Sequence, residues 1–161
     1  MLSSALSEKI ALLADKLMTS QLKLGTAESC TGGGLSYVLT SLAGSSVWFE
    51  RGLITYSNAA KINLLHVSEN TLNQYGAVSK ETAIEMVEGL LMHHPLDVGV
   101  AITGIAGPEG GSEEKPVGTV WIAAKRKEAK TQVLPFLFHG NREIIRDKSI
   151  EAAIIQLLLI V

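Results

Sequence analysis

The sequence predicts an α/β fold of three layers, α/β/α, around a mixed sheet of about five strands, one of them antiparallel. Three observations lead there. Segments of helical and strand period alternate along the chain in the order α β α β α α α β β β α. One run, "DVGVAITG" (Asp97–Gly104), is apolar almost throughout, the pattern of a strand buried on both faces. Two late strand-like segments are joined at about residues 127–130, which makes a hairpin and adds the antiparallel strand.

Each element has a local reason. Leu6, Ile10, Leu13 and Leu17 recur at helical spacing, so the chain opens with an amphipathic helix. "KLGTAES" is a short strand. Leu35, Val38, Leu39 and Leu42 line one helix face, and Gly44 is the expected stop. "FERGLITYS" (Phe49–Ser57) is the next strand, and Asn58 is the expected N-cap of a short helix through "AAKINLLHV". Ser68 opens another short helix to about Tyr75. Ser79 caps the strongest helix, with Ala83, Ile84, Val87, Leu90 and Leu91 on one side. "IAGPEGGSEEKPVG" is a loop by composition. "GTVWIAAKR" and "TQVLPFLFHG" are the hairpin strands, and Asn141 caps the last helix, soon after whose start the chain ends.

With 161 residues the chain is expected to form one domain, residues 1–161. A chain of this size buries roughly two-thirds of its unfolded surface and needs no staples. The residues are 47% hydrophobic and 5% aromatic, which implies an aliphatic core. The net charge of −2 argues against a general nucleic-acid binder but leaves room for a small anionic ligand. A single cysteine fits a reducing compartment, and the N-terminus lacks a signal-peptide pattern, so a cytoplasmic protein is expected. The tail "EAAIIQLLLIV" is too short to span a bilayer. Its apolar character points to packing on the domain or on a partner subunit, and an isologous dimer is the base-rate homo-oligomer. No repeat, low-complexity segment or linker is present.

Ligands of open α/β sheets bind beyond the carboxyl ends of the strands. Three polar or glycine-rich clusters follow strand ends here: "ESCTGGG", "TYSNAAK" and "TGIAGPEGG". In the first, Thr31, Gly32 and Gly33 lead into a helix whose amides could hold a phosphate or an oxyanion; the alternative is tight packing with Thr31 as a cap. It is neither a Walker loop nor a G-x-S-x-G elbow. Ser29 and Cys30 compete as nucleophile. In an extended chain they face opposite ways, and Glu28 shares the side of Cys30, where a carboxylate disfavours a thiolate. That favours Ser29.

A serine needs a base. His66, His93, His94 and His139 sit at helix or strand ends unsuited to it, which leaves Lys61, on the first turn after "TYSN", as a candidate, with a solvated surface charge as the alternative. A lysine acting near neutral pH must fall from about 10.4 to roughly 7.5, a differential of about 4 kcal/mol. Burial and the helix N-terminus both work in that direction. Tyr56, Thr103 and the Gly104 amide are candidates to touch substrate. Arg142 is a candidate phosphate fork, with a surface ion pair to Glu143 as the alternative. No clustered His/Cys/Asp set suggests a metal, and no cofactor is expected.

The ordered motifs "AESCTGG", "GSS", "FERGLITYSNAAK", "GAVS", "TGIAGPEGG" and "KPVGTVW" resemble the C-terminal domain family of the competence-damage-inducible protein CinA in its stand-alone form. The likeness runs from about Thr26 to Trp121. Longer members carry a molybdopterin-binding-like domain for which this chain has no room. The resemblance implies a three-layer fold and a nicotinamide mononucleotide amidohydrolase that releases ammonia in pyridine-nucleotide recycling. It implies Ser29 as nucleophile and Lys61 as its base. It places Tyr56, Thr103 and Gly104 on the substrate side and Arg142 by the phosphate. Arg51 stands where many members have a second glycine, a change expected at the pocket rim. The alternatives are a non-catalytic nucleotide-binding or regulatory module linked to competence and DNA damage, and a hydrolase using Cys30.

Overall fold

A computed structural model describes residues 3–161; Met1 and Leu2 lie outside it. In chain order the elements are α1 (Ser4–Thr19), β1 (Leu24–Glu28), α2 (Gly34–Thr40), β2 (Phe49–Ile54), α3 (Asn58–Leu65), α4 (Glu69–Tyr75), α5 (Lys80–His93), β3 (Val98–Gly104), β4 (Thr119–Arg126), β5 (Gln132–Leu137) and α6 (Arg142–Ile160). The sheet order is β2-β1-β3-β4-β5. β1 pairs in parallel with β2 and β3, while β4 runs antiparallel to both β3 and β5. One strand, β4, therefore opposes the other four, as the late hairpin implies.

Strand alternation divides the core into two. Val98, Val100 and Ile102 of β3 pack with Ile10, Leu13 and Leu17 of α1, Leu35 and Leu39 of α2, and Ile154 and Leu157 of α6. The other face carries small residues. Ala27, Ala101 and Ala123 lie side by side across β1, β3 and β4 and meet Met86, Val87 and Leu90 of α5. Such a row of methyls lets α5 settle close to the sheet. The next layer is as tight: a Cβ at Gly89 would stand 1.7 Å from the Leu65 carbonyl oxygen. Glycine there lets α5 pass against the end of α3, the helix that carries Lys61.

Local details depart from expectation in three places. Ser57, not Asn58, caps α3: its hydroxyl accepts the Ala60 amide at 3.0 Å, and Asn58 is already helical. α2 ends at Thr40, and Gly44 instead opens a short 3-10 turn, Ser45–Val47. α6 runs for 19 residues to the chain end. It buries Ile154 and Leu157 on its own domain, where Gln156 donates to the Gln132 carbonyl at 2.9 Å and Lys16 reaches the Val161 carbonyl at 3.0 Å. The apolar tail thus has a partner within the chain.

The Gly89 contact generates a stability test. Gly89→Ala forces backbone apart and is expected to cost about 3 kcal/mol, or a melting temperature lower by about 10 °C for a domain this size. A melting curve within about 2 °C of the parent would show that α3 and α5 do not depend on this approach.

Candidate active site

β1 ends in a division of labour between adjacent residues. Glu28, fully buried, turns toward α2. Its carboxylate accepts the Thr31 hydroxyl at 2.7 Å, the amides of Gly33, Leu35 and Ser36 at 3.1, 3.0 and 2.8 Å, and the Ser36 hydroxyl at 2.7 Å. A negative group thereby closes the positive end of α2 and satisfies donors a helix leaves unpaired. Gly33, at φ 94°, supplies the left-handed turn that brings these amides around.

Ser29 continues the strand one residue further, its amide donating to the Ile102 carbonyl at 3.0 Å. It lies on the opposite face from Glu28, where α3 stands. There the Lys61 Nζ donates to the Ser29 Oγ at 2.9 Å, to the Thr55 carbonyl at 2.8 Å and to the Tyr56 carbonyl at 3.3 Å. Lys61 is 1% exposed. Its aliphatic stem and its ammonium head are both enclosed, with no carboxylate beside it. Burial therefore pulls its pKa from 10.5 down to about 8.

Cys30 turns back toward the α2 side of the core. Burial pushes its thiol up to about 11, Glu28 adds to the rise, and the nearby backbone amide only partly offsets it. A thiol in that state is protonated at neutral pH and is a poor nucleophile.

These groups open into a cleft of about 270 Å³ at the carboxyl ends of the strands. Ser29, Tyr56, Lys61, Thr103, Gly104 and Arg142 all line it. Thr103 is buried, and its hydroxyl donates to the Ala77 carbonyl at 2.7 Å, tying the "GAVS" loop to β3. Arg142 bridges the mouth. It donates to the Gly107 carbonyl at 2.8 Å and to the Tyr56 hydroxyl at 3.0 Å, so three distant segments meet through one guanidinium. It makes no ion pair with Glu143 among the described residues.

Thr31, Gly32 and Gly33 do not line this cleft. Their donors are directed elsewhere: Thr31 and Gly33 donate to Glu28, and the Gly32 amide returns to the Ser29 carbonyl at 3.0 Å. The acid that closes α2 was visible in the sequence only as a neighbour of Cys30. A carboxylate five to eight residues before a helix's first amides is the signal that could have assigned it. Arg51 is likewise away from the cleft rim. It pairs with Glu50 and meets the His94 Nδ1 at 2.6 Å. His66 and His93 lie with ring centres 3.8 Å apart and planes tilted by 37°, and none of the four histidines lines the cleft. Among the described residues no group of three or more His, Cys, Asp or Glu could hold a metal, and no helix is long and apolar enough to cross a membrane.

Fold and cleft together define a three-layer α/β domain with a hydroxyl–amine pair on the floor of a strand-end pocket. A family model described as "CinA C-terminal domain" matches residues 6–161, and the chain belongs to that family. It is 52% identical over 131 residues to nicotinamide-nucleotide amidohydrolase PncC of Enterobacter agglomerans, covering 81% of this chain and 78% of that protein. The PncC of Escherichia coli K12 is 52% identical over 121 residues, 75% of this chain and 73% of that one. A CinA-like protein of Leptospira biflexa is 50% identical over 140 residues, and there the matched stretch spans 87% of this chain but 34% of that protein. Among solved structures, the competence/damage inducible protein CihA from Agrobacterium tumefaciens superposes with a TM-score of 0.96 at 38% identity, covering 99% and 97% of the two chains.

The Glu28 network can be tested by stability. Glu28→Ala strands five donors and is expected to cost about 3–5 kcal/mol, lowering the melting temperature by roughly 10 °C or more. Glu28→Gln keeps the shape but turns an N–H toward donors, so it should fall between the two. An alanine variant as stable as the parent would mean that the carboxylate does not hold the corner.

Proposed function

We propose that the chain is a nicotinamide-nucleotide amidohydrolase: it cleaves the carboxamide of nicotinamide mononucleotide to the carboxylate and ammonia, with Ser29 as nucleophile and Lys61 as base. The observation that carries this reading is the 2.9 Å contact between the Lys61 Nζ and the Ser29 Oγ in the strand-end cleft. Kinship with proteins named for the same activity supports it.

The chemistry follows from the contacts. Neutral Lys61 takes the Ser29 proton as the Oγ attacks the carboxamide carbon. The Thr55 and Tyr56 carbonyls accept from the resulting ammonium, so the protonated base is held in place. The oxyanion has a nearby donor in the Cys30 amide, directly after the nucleophile, which takes no partner beyond its own residue among the described residues. Lys61 then returns the proton to the leaving ammonia. Water, activated by the same amine, hydrolyses the acyl-enzyme and restores Ser29. The cationic ring withdraws electrons from the amide throughout. Arg142 faces the phosphate, and its bonds to Tyr56 and Gly107 carry that anchoring to both sides of the mouth. Nicotinamide mononucleotide is thus the small-molecule partner. A cytoplasmic setting belongs to the same reading on the grounds given from the sequence, and a homo-oligomer on the base rate alone, since the tail packs within the chain.

Ammonia release from nicotinamide mononucleotide tests the assignment. Ser29→Ala and Lys61→Ala are each expected to reduce kcat by roughly a thousandfold or more, whereas Cys30→Ala should stay within about twofold. Loss confined to the Cys30 variant would assign the thiol; tight binding without turnover in the parent would assign a binding module. The pH dependence has a defined sign. Only deprotonated Lys61 can act as base, so kcat/KM should rise with pH and level off above about 8. A profile flat from pH 6 to about 9 would remove Lys61 from that role.

A further inference from the structure

The cleft holds one charge that the reaction above does not use. Glu109 lines it together with Ser29, Lys61 and Arg142, and it is the one acidic residue among the lining residues described. It is exposed and takes part in no ion pair or hydrogen bond among the described residues. A guanidinium lines the same small pocket, yet Arg142 directs its donors to the Gly107 carbonyl and the Tyr56 hydroxyl instead. The Gly107 bond also pins the turn on which Glu109 sits, two residues further along. The site therefore presents an unpaired anion and a separately anchored cation around an amine that is neutral in its working form.

That arrangement matches a ligand with both signs of charge at a distance from each other. We propose that Glu109 is a specificity-determining residue that selects the cationic ring of a pyridinium mononucleotide, its carboxylate pairing with the ring charge while Arg142 faces the phosphate. The inference rests on the proposed function and names what that site recognises beyond the amide. A carboxylate in this place disfavours neutral amides of similar shape, because only a cation compensates its loss of water. It also balances the positive charge that the bound ring brings near Lys61. The rival role for such a carboxylate is to accept hydrogen bonds from ribose hydroxyls, for which charge is not needed.

Steady-state ammonia release from nicotinamide mononucleotide by Glu109→Gln and Glu109→Ala separates the two. A partly solvated charge pair predicts about a fivefold loss of kcat/KM in both variants, carried by KM, with kcat changed by less than about twofold. The difference from the parent should shrink as salt rises toward about 0.5 M. A glutamine variant that keeps the parent's kcat/KM overturns the proposal; a loss in alanine alone would assign the hydroxyl contact instead. Failure of the proposed function reads differently, since the parent would then release no ammonia at all. In that case calorimetric binding of the mononucleotide decides: a Kd about fivefold weaker in Glu109→Gln supports ring recognition, and an unchanged Kd, or no binding by the parent, overturns it.

Discussion

The Glu28 carboxylate takes five hydrogen bonds from the corner between β1 and α2, and the geometry of the site depends on that closure. It fixes the direction in which the chain leaves the strand and occupies the donors that a helix N-terminus would otherwise offer to a ligand. The next residue, Ser29, keeps a ladder bond to Ile102 where the chain begins to bend, and its side chain stands on the other side of the sheet against Lys61. Strand alternation thus separates a structural acid from a reactive hydroxyl across a single peptide bond. Cys30, in the turn that follows, packs back into the core, where burial holds its thiol protonated. One short stretch therefore assigns three polar side chains to three different environments.

On the far side of the sheet the constraint is closeness. The alanine row on β1, β3 and β4 and the glycine in α5 bring the helical layer in far enough for Lys61 to be enclosed rather than solvated. Its amine has two backbone carbonyls and a hydroxyl as neighbours and no acid. That combination lowers its proton affinity by burial yet gives the ammonium a place to rest once formed. A lysine with a carboxylate partner would be held charged, and one in open solvent would titrate too high to serve near neutral pH. The stability of α3 against α5 and the basicity of Lys61 are two consequences of the same packing.

Much of this was legible in the sequence because it rests on period and on alternation. The element order, the single antiparallel strand and the burial of Asp97–Gly104 follow from patterns that tertiary contacts reinforce. Ser29 and Lys61, 32 positions apart, could be nominated together because each follows a strand whose end lies on the same sheet edge. The glycine corner was read less well. A run such as Thr31–Gly33 before a helix looks the same whether its amides meet a ligand or a neighbouring side chain, and only the fold shows Glu28 already there. Arg51 could not be placed for a similar reason: Glu50 is its neighbour in sequence, but the contact with His94, 43 positions away, is seen only in the fold. Glu109 sits in a loop without period, so only the cleft's shape distinguishes it from the solvated Glu113 and Glu114.

Lys61 is an enclosed amine whose proton affinity is lowered far enough that half of it is uncharged at about pH 8. Carbon-13 NMR of lysine side chains, with the Lys61 signal assigned from its loss in Lys61→Met, measures this directly. The account predicts a titration midpoint for Lys61 of about 8, against 10.5 for an ordinary lysine. A midpoint at the ordinary value would contradict it, because the group touching Ser29 would then be an ammonium throughout the range in which a base is needed.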